Sequence, residues 1–388
     1  MMRPRPAGPS LLAILTAAVL AHLAVACQAA NLRIDYSQDG SGFFSASTSQ
    51  GQQARAALNA AADYYSGILT DSLAPVSVPA RFYGGGGGTG DIFLEFADPN
   101  DPTNQNAAVK LDQFTIAQNE YVVFAGGAPL SGSTGKQIAS AGLGWSNYQY
   151  SLLPADIATF VQSYDDFVSS YKSRGQASGF AHWGGTISFD NDGTTDWHLD
   201  LNSAPSTGES DLYSVALHEL GHVLGFGGSS LSNLGLVNAA GNFVGAAAVE
   251  AFGAPVPMQS GGGHWAEGTM SVAIDTGATQ ETLYDPSFNG SVRKELTMLD
   301  AAGLSDLGWS VGLPALVAGD FNGDLRTNAA DYTVWREGLR SPYPASDYKV
   351  WAENYGQAGP SLAPTAAPSP GGGALLLSLA TAALLRRS

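Results

Sequence analysis

Asp211-Leu-Tyr-Ser-Val-Ala-Leu-His218-Glu219-Leu-Gly-His222-Val-Leu-Gly-Phe-Gly227 is the most informative stretch of this chain. Ala216, Leu217, Leu220, Val223 and Leu224 supply an apolar back, which predicts a buried helix over 211–224. His218 and His222 lie one turn apart on one face of that helix, so both imidazoles can reach a single ion. Glu219 stands beside them, placed to take a proton from water acidified by a metal. At this chain's His and acid frequencies the pattern arises by chance roughly 0.008 times.

A catalytic zinc site needs a third protein ligand and one open position. Gly225 suits the turn that ends the helix, but Gly228 stands three residues later, where a third histidine would complete the extended metzincin pattern HExxHxxGxxH. His22, His182 and His198 precede the motif, and His264 alone follows it. Its setting, Gly261-Gly-Gly-His264-Trp265, is a flexible approach to a bulky anchor. Glu250 is the other candidate third ligand. His182 and His198 read as structural or surface residues, with His198 also a candidate to line a cleft.

These pieces resemble metzincins of the leishmanolysin type, in which an insertion displaces the third His and Trp follows it. The chain is closer still to bacterial PEP-CTERM-tailed HExxH proteases. The matching segments are Asp211 to Gly227, Gly261 to Trp265, Leu283-Tyr284-Asp285-Pro286 and Leu296 to Trp309. The resemblance implies that His218, His222 and His264 bind one catalytic zinc and that Glu219 is the general base. It covers residues 185–310 well and 31–184 loosely. The family carries Met where this chain has Tyr284. That residue is expected to pack as an ordinary tyrosine, to floor the site, or to turn its phenol toward the metal.

A second acidic pattern lies downstream. Asp320-Phe-Asn322-Gly-Asp324-Leu-Arg326-Thr-Asn328-Ala-Ala-Asp331 spaces oxygen side chains as a calcium loop does. Ala330-Asp331-Tyr332-x-x-Trp335 recurs as Ser346-Asp347-Tyr348-x-x-Trp351. The loop resembles the first half of a type I dockerin. The resemblance implies one structural calcium on Asp320, Asn322, Asp324 and Asp331, and raises a cohesin-like partner.

Composition narrows the rest. The chain has 388 residues and a net charge of −17, with four of its arginines confined to the extreme ends. So acidic a surface repels phosphate backbones, which argues against nucleic-acid binding. Cys27 is the one cysteine, so no intramolecular disulfide and no Cys-based zinc site can form. No phosphate loop exists around Gly135-Lys136, where the required spacing fails.

Residues 1–30 read as a secretory signal, with Arg3 and Arg5 ahead of an apolar run from Leu11 to Ala26. Ala24-Val25-Ala26-Cys27 loosely matches a lipobox. A Pro/Ala/Ser linker (358–370) leads to an apolar tail (371–388) ending Arg386-Arg387-Ser388. The apolar part spans about 22 Å as a helix, short for a hydrocarbon core of about 30 Å. It is similar to a PEP-CTERM sorting tail, with Pro368-Ser369-Pro370 in place of Pro-Glu-Pro. Both ends point outside the inner membrane of a bacterium, with membrane contact through them alone.

The expected fold class is α+β: a metzincin-like zinc protease domain (31–312), with a mixed sheet and an active-site helix, followed by a small α-helical dockerin-like module (313–357). Helical stripes run over 51–69 and 155–172, giving a helix-rich upper part. Val76 to Tyr83 and Asp91 to Phe96 read as strands around a flexible loop, Gly84 to Gly88. Thr186 to Asp190 is expected to be an edge strand that holds an extended peptide substrate. Thr297-Met-Leu-Asp300 is a capping box opening a helix that stops at Gly308. The expected activity is that of a secreted zinc endopeptidase. The alternative is a non-catalytic, metal-stabilised surface or scaffold protein acting through the calcium module.

Overall fold

The computed structural model describes residues 30–130, 137–174, 182–288, 291–312, 319, 321, 326–337, 345 and 347–357. The signal, the linker and sorting tail, and Asp320, Asn322 and Asp324 lie outside the described residues. No helix among the described residues is long and apolar enough to cross a membrane.

The main sheet has four strands in the order Asn31–Asp35, Glu120–Ala128, Gly184–Asp190, Ala139–Leu143. The first three run parallel and the last runs antiparallel to Gly184–Asp190. This corrects the expected edge strand. Gly184–Asp190 is central and buried at every position, and the edge is Ala139–Leu143. Alternation had suggested a half-exposed strand, but Thr186 and Ser188 are as buried as Ile187 and Phe189. Small polar side chains at these positions pass for exposed ones in sequence.

Helix Ser49–Ile68 packs against Asn31–Asp35 and beside helix Leu212–Val223, which itself packs against Ala139–Leu143 and Gly184–Asp190. Thr48 caps it, accepting from Gly51 N–H at 3.1 Å. Half of its buried stripe is alanine (Ala54, Ala57, Ala61, Ala62), which lets the neighbouring elements approach closely. A second antiparallel sheet contains Phe82–Tyr83, Gly88–Phe96, Val109–Asp112 and Trp145–Leu152. Helix Pro154–Ser173 closes its own core there through Phe160, Phe167 and Tyr171.

The upper part is therefore rich in strands, not helices. Val76 to Tyr83 splits into two short strands belonging to different sheets, because Pro79 cannot donate to a ladder. Gly84 and Gly88 close a hairpin turn, Gly84 N–H donating to Gly88 O at 3.1 Å.

The C-terminal half winds around helix Leu212–Val223. Asp211 caps that helix, accepting from Ser214 N at 3.1 Å. Arg293 clamps the same carboxylate at 2.9 and 3.1 Å. At the other end Gly225 adopts φ 104°, a left-handed conformation that suits glycine, and the chain turns back. The last carbonyls of the helix find distant donors: Tyr121 Oη reaches Val223 O at 2.7 Å and Trp309 Nε1 reaches Leu224 O at 2.8 Å. The capping box at Thr297 and Asp300 forms as expected, and Gly308 ends helix Met298–Leu307 with φ 106°.

Candidate metal centre

The Nε2 atoms of His218, His222 and His264 form a triangle with sides of 3.0, 3.0 and 3.2 Å. Each Nδ1 faces a carbonyl oxygen. His218 donates to Leu283 O at 2.7 Å, His222 to Phe226 O, and His264 to Gln259 Oε1 at 2.9 Å. A carbonyl can only accept, so the proton of each neutral ring sits on Nδ1 and the three Nε2 lone pairs converge. Three lone pairs so close repel one another unless a cation lies among them. Neutral imidazoles with pinned outer nitrogens are the donor set that zinc takes.

Burial keeps these rings neutral. It holds His218 well below the ordinary imidazole range, with His222 and His264 as the next causes. His222 is likewise lowered by burial, and His264 falls to about 4, first by burial and then by His222. Burial pushes the Glu219 carboxyl up to about 8 in the metal-free protein.

The chain reaches the third position by a detour. Gly228 lies against the loop that carries His264, and a Cβ there would fall 2.6 Å from Gly261 O. No side chain fits at 228 while the loop lies there. The insertion after 228 thus supplies the histidine that position 228 lacks. Glu250 is exposed on helix Ala246–Phe252 and does not join the cluster, so the alternative third ligand is set aside. His198 is buried against Glu209 (3.2 Å), Asp200 O and Ser203 O, a structural residue outside the cleft.

Tyr284 floors the site. Its ring lies 6.3 Å from that of His218 and 4.4 Å from that of Phe226. The phenol meets Tyr65 Oη at 2.9 Å, and Tyr65 donates to Leu217 O at 2.8 Å. Tyr284 Oη is therefore turned into the core. Gly221 makes room for it, because a Cβ there would lie 2.2 Å from Tyr284 Cε1. Tyr65 was not legible as part of the site, being one of many apolar positions on a helical stripe.

His218, Glu219, His222 and His264 open on a cleft of about 930 Å³. Its lining includes the edge strand Ala139–Leu143 and the segment Pro286, Ser287 and Phe288. Phe288 sets its ring 5.1 Å from that of His218.

Residues 160–236 match the matrixin family of peptidases. The match takes in His218, Glu219 and His222 and stops before His264. It supports a metzincin-type, zinc-dependent metallopeptidase. Comparison with curated proteins and with solved structures returns no match.

At the C-terminal end, helices Ala329–Glu337 and Asp347–Asn354 pack through Tyr332, Trp335, Tyr348 and Trp351. Asp331 is fully buried, accepting from Phe321 N at 2.9 Å and Asn328 N at 2.7 Å. The other expected calcium ligands lie outside the described residues. Neither the structure nor the comparisons support a cohesin-like partner.

Proposed function

We propose that this protein is a secreted zinc endopeptidase in which His218, His222 and His264 hold the metal and Glu219 is the general base. The observation that carries this reading is the triangle of imidazole nitrogens beside a buried carboxylate, facing an open cleft. Zinc bound there supplies Lewis acidity for the scissile carbonyl and the attacking water. Glu219 takes the water's proton and returns it to the leaving amine. Its high proton affinity suits both steps, and the metal's charge would bring it down toward the working range.

The edge strand orients the substrate. The ladder between it and Gly184–Asp190 includes Asp190 N to Ile138 O and Gly144 N to Gly184 O. Alternation in an antiparallel pair then directs the N–H groups of Ala139, Ala141 and Leu143 toward the cleft. An extended peptide adds there as a further strand, its carbonyl carried past the metal.

Secretion, and a single structural calcium on Asp320, Asn322, Asp324 and Asp331, complete the proposal. They are supported by the charged and apolar order of residues 1–30 and by the oxygen spacing of the loop. Calcium is expected to raise the thermal midpoint of the 313–357 module, and Asp331→Ala to abolish that rise.

The deciding experiment is metal analysis with peptide digestion. The protein should bind one zinc, lose activity to a chelator and regain it with zinc. Glu219→Ala should keep zinc and lose activity by at least about 100-fold. Undiminished cleavage by that variant removes Glu219 from the mechanism.

A further inference from the structure

We propose that Asp300 is the positioning residue that seats His264, an inference that rests on reading the site as a zinc centre. Asp300 is fully buried near the start of helix Met298–Leu307. Its role as a helix cap accounts for Thr297 N (2.9 Å) and Thr297 Oγ1 (2.6 Å), both donating to Oδ2. Three further donors have nothing to do with the cap. Leu283 N reaches Oδ2 at 2.8 Å, while Trp265 Nε1 and Tyr284 N reach Oδ1 at 2.9 and 3.2 Å.

Those donors come from the two segments that flank the metal triangle. Trp265 follows His264 directly, and Leu283 carries the carbonyl that orients His218. One carboxylate therefore ties both sides of the site to one helix. Trp265 N also donates to Tyr284 O at 3.0 Å, which joins the two segments to each other. Gly303 lies one turn after Asp300, where a Cβ would come within 3.0 Å of the Trp265 indole. The helix surface is thus shaped to take that ring.

The loop before His264 needs such an anchor. Gly261 and Gly262 sit at φ 101° and 70°, and Gly263 follows, so the backbone is intrinsically permissive there. The His264 ring has Gln259 as its orienting side chain, itself in the same loop. The fixed point is Trp265, and Asp300 is the group that holds its indole.

Asp300→Asn keeps the shape but turns an amide NH₂ toward groups that donate. In the full-length protein we expect its zinc affinity to fall about 10-fold, the lower end of what losing a direct partner of a metal ligand costs, because Asp300 acts through Trp265 and Leu283. The reading is competition against a chromophoric chelator, with the far-UV spectrum of the metal-free protein unchanged. Thr297→Val removes only the cap hydroxyl and should leave affinity within about 2-fold. Trp265→Phe deletes the indole donor, and should weaken zinc in the same direction even if Asp300→Asn fails to fold.

Wild-type affinity in folded Asp300→Asn or Trp265→Phe overturns the proposal. So does an equal loss in Thr297→Val, which would make Asp300 a helix cap and nothing more. If the wild-type protein itself takes up no zinc, the zinc reading falls and this inference falls with it, a result distinct from failure of the variants alone.

Discussion

Tyr284 underlies the candidate metal centre without reaching into it. Its ring fills the floor beneath the imidazoles, and its hydroxyl is satisfied by Tyr65 deep in the core. Tyr284→Phe should therefore leave kcat within about 3-fold and cost about 1 kcal/mol, the net value of one hydrogen bond. A loss of 100-fold in kcat would return the phenol to the chemistry. Gly221→Ala should destabilise by about 1–3 kcal/mol, because the added carbon meets the tyrosine ring. Pairing it with Tyr284→Ala should relieve the overlap, so denaturation of the double variant should show the two changes to be non-additive.

At the level of elements, the edge strand Ala139–Leu143 and helix Leu212–Val223 pack together and both line the cleft. Ala141→Pro removes an N–H directed at the cleft, and the free edge tolerates proline. Hydrolysis of a peptide substrate should drop about 10-fold or more in kcat/KM, with zinc content unchanged. Unaltered turnover would mean that the substrate is oriented by another wall. The active helix was legible from its periodicity and ran as expected. The edge strand was not. Strand order depends on which segments find each other across the chain, and no local pattern in Ala139–Leu143 or Thr186–Asp190 records that.

For the molecule as a whole, the buried groups of the site impose a pH signature on the metal-free protein. The imidazoles of His218, His222 and His264 are depressed below 6.5, so the unfolded chain binds more protons below that value. Stability is lost as pH falls from 6.5 toward 4. Glu219 is raised from 4.5 to about 8, so its contribution runs the other way and is lost as pH rises through 8. Below 6.5 the three imidazoles, joined by His182, which burial lowers to about 4, outweigh Glu219, while Asp275 and Asp300, raised by burial, act in the same direction as Glu219. The thermal midpoint of chelator-treated protein should therefore peak near pH 6.5, as read in a buffer series. His264→Ala should flatten the acid side, and Glu219→Gln the alkaline side. Saturating zinc should remove the alkaline slope, because the metal's charge keeps Glu219 ionised, while the acid slope persists and extends below 4, because metal-held rings stay deprotonated as the unfolded chain takes up protons.

The pair His218 and His222, the acid between them, the helix that carries them and the helix opening at Thr297 follow from spacing alone, since helical periodicity and capping are local properties of the chain. His264 was legible as the lone downstream candidate, but its arrival beside the pair depends on a loop of more than thirty residues folding back onto Gly228. The free edge at Ala139–Leu143, the buried phenols of Tyr65 and Tyr284, and the carboxylate of Asp300 gathering donors from three segments are contacts between residues distant in sequence. Such contacts form only when the core packs, so they belong to the folded molecule and leave no mark on the order of its residues.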